Sequence, residues 1–235
     1  MTTAHTVAAI ELVRSHSLTT LVQRELERQI LSGELTPGTK LSEADVADQL
    51  SVSRGPVREA FRALEESGLV RLEKNRGVFV RQIPLEEADE IYELRAVLDT
   101  FVGQRVAARA DADAVRELRG LVARMERASA RNDVDGFLEA NLAFHDRLVE
   151  LAGNAKLLTT YRRLVNELRL FRRASLAQGG ALPTSTREHR QIVERIAARD
   201  IEGAGRALHD HVVASRERMR KASSTPSRIN GRKAR

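Results

Sequence analysis

The fold of this chain is decided by residues 41–80, which read LSEADVADQLSVSRGPVREAFRALEESGLVRLEKNRGVFV. Ser42 stands three residues before Asp45, a spacing typical of a helix N-cap and related to the capping box. Ser53 is a second N-cap, and Pro56 falls in the first turn of the next helix, where its missing N–H is not needed. The stretch therefore predicts two short helices joined by a tight turn.

The second of these helices has one apolar face, because four apolar residues recur at the spacing i, i+3, i+4, i+7. They are Val57, Ala60, Phe61 and Leu64. Gly68 ends the helix. Apolar residues then alternate between Val70 and Val80, which predicts a hairpin that turns at Lys74–Gly77.

A further helix precedes this stretch and a linker follows it. Apolar residues at helical spacing run from Leu18 to Gly33, a helix terminator, and Pro84 marks a linker near residues 82–86. The order helix, helix, turn, helix, hairpin is that of a winged helix-turn-helix. We therefore expect a winged helix-turn-helix domain over residues 18–82, preceded by a loose segment, residues 1–17.

The remainder of the chain shows helical periodicity and no strand pattern. Start signals such as Ser185 and stop signals such as Gly153 divide it into six helices. They are predicted near residues 85–109, 113–130, 134–152, 155–176, 185–199 and 201–221. We expect a mainly α fold in which residues 83–221 form an all-α bundle of about six helices, followed by a basic disordered tail, residues 222–235.

Composition excludes several classes of protein. The chain has 235 residues and no cysteine, which excludes disulfides, thiolate zinc fingers, iron–sulfur clusters and cysteine nucleophiles. No apolar run approaches a membrane span and no signal peptide opens the chain, so we expect a cytoplasmic protein. The net charge of +6 is weak evidence for nucleic-acid binding, because residues 222–235 carry four basic residues and no acidic one.

Local clustering of basic residues is more informative than net charge. Arg54, Arg58 and Arg62 are spaced four residues apart on the helix, opposite its apolar face. Arginines near the start of such a helix suit guanine edges in a major groove, and Ser53 at the helix N-terminus suits a phosphate. A basic helix face is also typical of a solvent-exposed surface. Because this one lies on the second helix of a predicted winged helix-turn-helix, it predicts DNA binding. The candidate DNA contacts are Ser53, Arg54, Arg58, Arg62, Lys74 and Arg76.

Three histidines lie on the apolar faces of three different helices of the bundle. They are His145, His189 and His211, and Asn141 lies one turn before His145 on the same face. A lone histidine of this kind is usually a core residue with a hydrogen-bond partner, whereas three gathered in one cavity favour a divalent metal. A water-filled polar pocket and an anion held by protonated histidines are the alternatives.

The chain resembles the GntR family of transcription regulators, in the FadR subfamily with an all-helical C-terminal effector domain of the FCD type. The resemblance rests on residues 41–80 and on two later blocks, AFHDRLVELAGN (143–154) and EHRQIVERIAARD (188–200), followed by the helix that carries His211. It implies a ligand-responsive regulator, as a rule a repressor, that binds double-stranded DNA at a palindromic operator as a homodimer. It also implies wing contacts around Arg76 and Gly77.

The resemblance also assigns roles in the C-terminal domain. Part of the family holds a divalent ion such as zinc or nickel through one Asp and three His, which correspond here to Asn141, His145, His189 and His211. Asn141 brings no charge, so we expect weaker metal binding. Arg95 matches a family arginine near the cavity, so we expect it to contact the carboxylate of an effector, commonly a small organic acid. Ala44 replaces a basic residue that contacts DNA in many relatives.

A metal-dependent hydrolase that uses the three histidines is the alternative function, because three ligands with an open position resemble a hydrolase site. Against it, no carboxylate base lies on the same helix faces, and Asp146 points about 100° away from His145 around the helix. A winged helix also has no use in a hydrolase. We therefore expect no enzymatic activity.

Overall fold

A computed structural model describes residues 18–176 and 179–224 of the chain, except for the side chains of residues 170–174. The described part divides into two compact units, with the boundary between Ile83 and Pro84. The predicted loose segment, residues 1–17, and residues 225–235 of the predicted tail lie outside the described residues. None of the described helices is both long and apolar enough to cross a bilayer.

The first unit has the order of elements that the sequence predicts, with one addition. Its elements are α1 (Leu18–Ser32), β1 (Lys40–Leu41), α2 (Glu43–Gln49), α3 (Arg54–Glu66), β2 (Val70–Glu73) and β3 (Gly77–Val80). The strands form an antiparallel sheet in the order β1-β3-β2. The hairpin therefore has a third strand, β1, which pairs Lys40 with Phe79. A strand of two residues is too short to produce a recognisable alternation.

Helix ends in this unit follow local chemistry. The Ser42 hydroxyl accepts a hydrogen bond from the amide of Asp45, as the N-cap prediction requires. Ser53 occupies the N-cap position of α3 in extended conformation, but its side chain makes no capping hydrogen bond. Gly33 and Gly68 end α1 and α3 with positive φ angles of 83° and 79°. The four apolar residues predicted for α3 are all buried, so this helix packs as expected.

The second unit consists of helices in its described part. They are α4 (Leu85–Arg109), α5 (Ala112–Ala130), α6 (Val134–Leu151), α7 (Ala155–Leu176), α8 (Ala181–Ala197) and α9 (Ile201–Ser224). The mainly α fold is thus confirmed. Most helix bounds lie within two residues of the prediction, and two differ by more. Helix α8 begins four residues earlier, after Gly180 at φ 80°, so that Ser185 is a buried residue inside the helix rather than its N-cap.

The last helix is longer than predicted, because α9 continues to Ser224 and includes three residues assigned to the tail. Met219 is buried near its end, and the Ser223 hydroxyl donates to the Met219 carbonyl. Helices α4 and α9 are in close contact: a Cβ added at Gly103 would lie 2.6 Å from the Ala204 carbonyl oxygen. At the other end of the pair, Arg216 donates to Asp89 at 2.8 Å. The two helices therefore run antiparallel.

Candidate functional sites

Helix α3 presents a cationic face in the first unit. Arg54, Arg58 and Arg62 are exposed, whereas the residues on the other side of the helix are buried. Ser53 is exposed at the start of the helix, and its side chain does not cap it. The backbone N–H groups of that first turn and the Ser53 hydroxyl are therefore suited to a phosphate oxygen.

The three arginines have different partners. Arg58 donates through Nε and Nη2 to the two carboxylate oxygens of Glu43 on α2, at 3.0 and 2.7 Å. Arg62 donates to Glu59 on its own helix at 2.8 Å. Arg54 forms no ion pair among residues 18–176 and 179–224. The Glu43 carboxylate thus pairs with Arg58 and orients it, a contact between helices that the sequence did not reveal.

The hairpin adds a second group of cations. Lys74, Arg76 and Gly77 are exposed at its turn, and the Arg76 guanidinium stacks over the Phe79 ring at 5.7 Å from its centroid. Lys40 on β1 approaches the same ring at 6.0 Å. Gly77 has φ +111°, and a Cβ there would meet the Lys40 side chain at 3.1 Å. Lys40 is therefore a wing cation that sequence reasoning missed, because its strand was not predicted.

The second unit gathers the three histidines in one buried cluster. His145 on α6, His189 on α8 and His211 on α9 are at most 3% exposed. The Nε2 atom of His145 lies 3.2 Å from Nε2 of His211 and 3.3 Å from Nε2 of His189. Asn141 is also buried, one turn earlier on α6. The described residues form no other cluster of three or more His, Cys, Asp or Glu side chains that could hold a metal ion.

The outer ring nitrogens of His189 and His211 have acceptors at hydrogen-bond distance, which orients these two rings. The Nδ1–H of His189 donates to the Ser185 carbonyl oxygen at 2.7 Å. Nδ1 of His211 lies 2.7 Å from a carboxylate oxygen of Glu188, and Nδ1 of His145 lies 3.8 Å from Asp99. Protons held on Nδ1 leave the Nε2 lone pairs facing one another. This tautomer is the one that metal-binding histidines adopt.

The spacing of these nitrogens fits a metal ion. Two nitrogens bonded to tetrahedral zinc at about 2.1 Å are about 3.4 Å apart, close to the 3.2 and 3.3 Å found here. With all three Nδ1 atoms protonated, the Nε2 lone pairs would repel one another, and a cation bound between them would remove that repulsion. The three histidines could therefore hold a metal ion.

Glu188 links His211 to a cation on the same helix. Arg218 donates to both Glu188 oxygens, at 2.7 and 2.9 Å. Burial by itself raises the pKa of Glu188, but the hydrogen bonds from His211 and Arg218 lower that pKa to about 2. Burial likewise lowers the pKa of His211, although Glu188 opposes the shift. The pair is therefore a neutral imidazole that donates to an ionised carboxylate.

A buried network of polar groups adjoins the cluster. Arg95 is fully buried and donates through Nη2 to the Tyr161 hydroxyl at 2.9 Å and to Asp99 at 3.3 Å. The Tyr161 hydroxyl in turn donates to Asp99 at 2.9 Å. Burial alone would lower the pKa of Arg95, but Tyr161, Asp99 and Tyr92 raise it above its usual value. Arg95 is therefore a permanent buried cation.

This cation has unused donors. The Nε and Nη1 atoms of Arg95 are buried and have no hydrogen-bond partner. A buried N–H without an acceptor costs free energy, about 1–3 kcal/mol and more when the group is charged. An anionic ligand beside Arg95 would supply the missing acceptors.

The structure corrects one step of the sequence argument. The sequence predicted no carboxylate beside the histidines, yet Asp99 on α4 and Glu188 on α8 both reach the cluster. Asp99 was missed because its contact with His145 joins α4 to α6, and Glu188 because it contacts His211 on the following helix. The i, i+4 spacing of Arg95 and Asp99 on an otherwise apolar face was a usable signal, as was the position of Glu188 beside His189.

Comparison with known proteins decides the family. Residues 18–80 match the family described as bacterial regulatory proteins, gntR family, and residues 90–214 match the FCD domain. The chain belongs to the GntR family. GntR proteins of this kind are transcription regulators that bind DNA, and the rival hydrolase function has no support among its relatives.

Two relatives illustrate the similarity. The chain is 33% identical over 186 residues to the probable D-xylose utilization operon transcriptional repressor of Paenarthrobacter nicotinovorans. The alignment covers 79% of this chain and 81% of that protein. The chain is 28% identical over 199 residues to the HTH-type transcriptional repressor RspR of Escherichia coli K12, with coverages of 85% and 87%.

Two solved structures have a similar fold. A GntR protein from Rhodococcus sp. RHA1, described as a transcriptional regulator, superimposes with a TM-score of 0.70 at 31% identity, over 88% of this chain and 99% of that one. McbR/YncC of E. coli superimposes with a TM-score of 0.76 at 20% identity, over 89% of this chain and all of the other. The second likeness concerns the fold alone.

Proposed function

We propose that this GntR protein is a homodimeric repressor that binds a palindromic operator and releases it when a small organic acid enters the histidine cavity. The observation that carries the effector part is the pair of unpartnered Arg95 donors, buried beside three convergent histidines. Regulators that act on DNA work where DNA is accessible, so we place the protein in the cytoplasm.

The DNA contacts are assigned to the cationic faces of the first unit. Arg54 and Arg58 are positioned on α3 to donate to base edges, and Ser53 to accept or donate at a phosphate. Arg62, further along the helix, and the wing residues Lys74, Arg76 and Gly77 contact the DNA backbone or an adjacent groove. Because a homodimer has twofold symmetry, the operator contains two inverted half-sites.

The buried charges around the histidine cluster are balanced in pairs, so that a bound metal ion would decide its attraction for an anion. The Arg95 cation is balanced by Asp99, and the Arg218 cation by Glu188. The histidine cluster itself therefore has no net charge to offer an anion unless a metal is present. A divalent ion held by His145, His189 and His211, with the neutral Asn141 as a fourth ligand, supplies an uncompensated charge of about +2 that attracts a carboxylate.

A thermal-shift screen of organic acids and sugar acids, with and without zinc or nickel, tests this proposal. A ligand at 100 times its dissociation constant stabilises the folded state by about 2.7 kcal/mol. For a unit of this size that corresponds to a rise in melting temperature of roughly 5–10 °C. Arg95→Lys, which keeps the charge and loses the fork of donors, is expected to abolish the rise.

The matched control is Arg206→Lys, the same replacement at an exposed position of α9. It should retain the full response to the acid. If no acid in the panel raises the melting temperature, or if the Arg95 variant responds as strongly as the control, the assignment of the cavity to a carboxylate effector is wrong. This result would not affect the proposal of DNA binding, which depends on the first unit and is tested separately.

A further inference from the structure

Glu43, the first residue of α2, is an acidic side chain that lies among the arginines of α3. Its carboxylate accepts from Nε and Nη2 of Arg58 at 3.0 and 2.7 Å, and its side chain is 33% exposed. The hydrogen bond from Arg58 lowers the pKa of Glu43, and the charges of Arg54 and Arg62 add to this shift. A single ionised carboxylate therefore acts on all three arginines of the cationic face.

A carboxylate at this place opposes DNA binding as such. Affinity for DNA of any sequence comes mainly from cations that neutralise phosphates, and a negative charge on the same face repels those phosphates. Helix α2 does not need Glu43 for its N-terminus, because Ser42 caps it and Asp45 also places an acidic group in the first turn. The contact with Arg58 is therefore the feature of Glu43 that calls for a function.

The two hydrogen bonds leave one defined edge of the Arg58 guanidinium free. Glu43 occupies the edge formed by Nε and Nη2, and the planar fork has a second edge, formed by Nη1 and Nη2. Among the described residues, Nη1 of Arg58 has no acceptor. Two parallel donors on this second edge match O6 and N7 of a guanine. The Arg58 side chain is 55% exposed, so a base can reach it.

We propose that Glu43 is a specificity-determining residue, which holds Arg58 in the orientation that reads guanine and weakens binding to every other DNA sequence. The inference rests on the proposed function, in which α3 reads the operator. An arginine without a fixed partner reaches a phosphate as readily as a base, and a phosphate contact carries no sequence information. With Glu43 in place, a phosphate that approaches Arg58 is repelled by the carboxylate, whereas a guanine edge meets the free donors. Specificity then comes from a repulsive element as well as an attractive one.

Glu43→Gln in the full chain tests the inference by fluorescence anisotropy on two duplexes of equal length. One is the inverted repeat that wild type enriches from a random pool, and the other is a scrambled duplex of the same base composition. Because a negative charge is removed, the variant should bind the scrambled duplex roughly three- to tenfold more tightly. On the inverted repeat this gain is offset, because Arg58 is no longer held. The ratio of the two affinities should therefore fall at least about fivefold.

Glu59→Gln is the matched control for the loss of charge. Glu59 accepts from Arg62 at 2.8 Å on the exposed side of the same helix, and it forms no hydrogen bond with Arg58. The control variant should bind both duplexes more tightly by the same factor, so that their affinity ratio stays within twofold of wild type. The melting temperatures of the two variants show whether each one is folded.

A double-mutant cycle with Arg58→Ala separates positioning of Arg58 from any other effect of Glu43. In the Arg58→Ala background, Glu43→Gln should leave the affinity ratio unchanged, because the side chain that Glu43 positions is gone. If Glu43→Gln alone keeps the wild-type ratio within twofold, or lowers it equally in the Arg58→Ala background, Glu43 does not determine specificity, although DNA binding by α3 stands. If wild type enriches no common sequence, the assignment of α3 as the recognition helix is wrong and this inference is wrong with it.

Discussion

If the three histidines hold a divalent metal as proposed, replacing Glu188 by glutamine should weaken that binding about 10- to 100-fold, because Glu188 orients His211. In the structure its carboxylate lies 2.7 Å from Nδ1 of His211. That hydrogen bond keeps the proton on Nδ1, so that Nε2 of His211 presents its lone pair to the other two histidines. Glutamine has nearly the same size, and its amide oxygen can accept one hydrogen bond, but it has no charge.

The size of the effect follows from what the carboxylate does. A loss of 10- to 100-fold corresponds to about 1.4–2.7 kcal/mol of binding free energy. The same change leaves Arg218, which is largely buried and donates to both Glu188 oxygens, with a neutral and incomplete partner. An imperfectly satisfied donor of this kind costs about 1–3 kcal/mol of folding stability. The variant should therefore still be folded at 25 °C.

The measurement is a competition titration of zinc between the protein and a chromogenic chelator at pH 7, with the melting temperature of the metal-free protein as a check on folding. Glu126→Gln is the matched control, because it removes an ion pair with Arg190 on the surface of the same unit. It should bind zinc as wild type does. If Glu188→Gln binds zinc within twofold of wild type, Glu188 does not position His211 for a metal.

Further expectations concern the DNA-binding face, the fourth ligand and pH. Arg58→Ala should lower affinity for the operator roughly 5- to 150-fold per half-site in fluorescence anisotropy titrations, with an unchanged circular dichroism spectrum. Asn141→Asp should tighten metal binding but reduce the coupling between metal and effector, since the new carboxylate supplies the negative charge that the effector would otherwise bring. Isothermal titration of metal into wild type and variant, each with and without effector, measures this coupling, and a coupling as strong in the variant as in wild type would contradict the idea. The pKa of Glu188 is lowered to about 2 in the folded state, so its ionised carboxylate stabilises the fold above the unfolded pKa near 4.3, and this stabilisation is lost as the pH falls from there to about 2. Metal-free Glu188→Gln should therefore lose less stability than wild type over that pH interval, as measured by acid titrations followed by circular dichroism. Deleting residues 222–235 should reduce the salt dependence of DNA binding and leave base preference unchanged, and a shifted consensus would contradict this.

Local sequence signals were sufficient for much of the fold. The apolar spacing of α3, from Val57 to Leu64, predicted both its buried face and the exposed arginines opposite, because a helix fixes the angular relation between such residues. Glycine and capping residues placed most helix bounds within a few positions. The predicted start of α8 at Ser185 was wrong, since a serine can lie inside a helix and bind the backbone of its own turn as well as cap an N-terminus.

Contacts between distant segments could not be predicted from the sequence. The network of Arg95, Asp99 and Tyr161 joins α4 to α7 across more than 60 residues. Glu43 likewise reaches Arg58 from another helix. The neighbours of these residues in the sequence give no sign of the contacts, because only the packing of the helices brings the side chains together. The polar surroundings of the histidine cluster therefore needed the three-dimensional structure, whereas the histidines themselves did not.

Selection of duplex DNA from a random pool by the purified wild-type protein tests most directly the claim that α3 reads a palindromic operator. The recovered sequences should share an inverted repeat, and the acid identified by thermal shift should reduce their retention. Arg58→Ala, treated in the same way, should recover no common sequence. If wild type enriches no sequence, or an asymmetric one that Arg58→Ala enriches equally well, the assignment of α3 as the recognition helix of a dimeric regulator is contradicted.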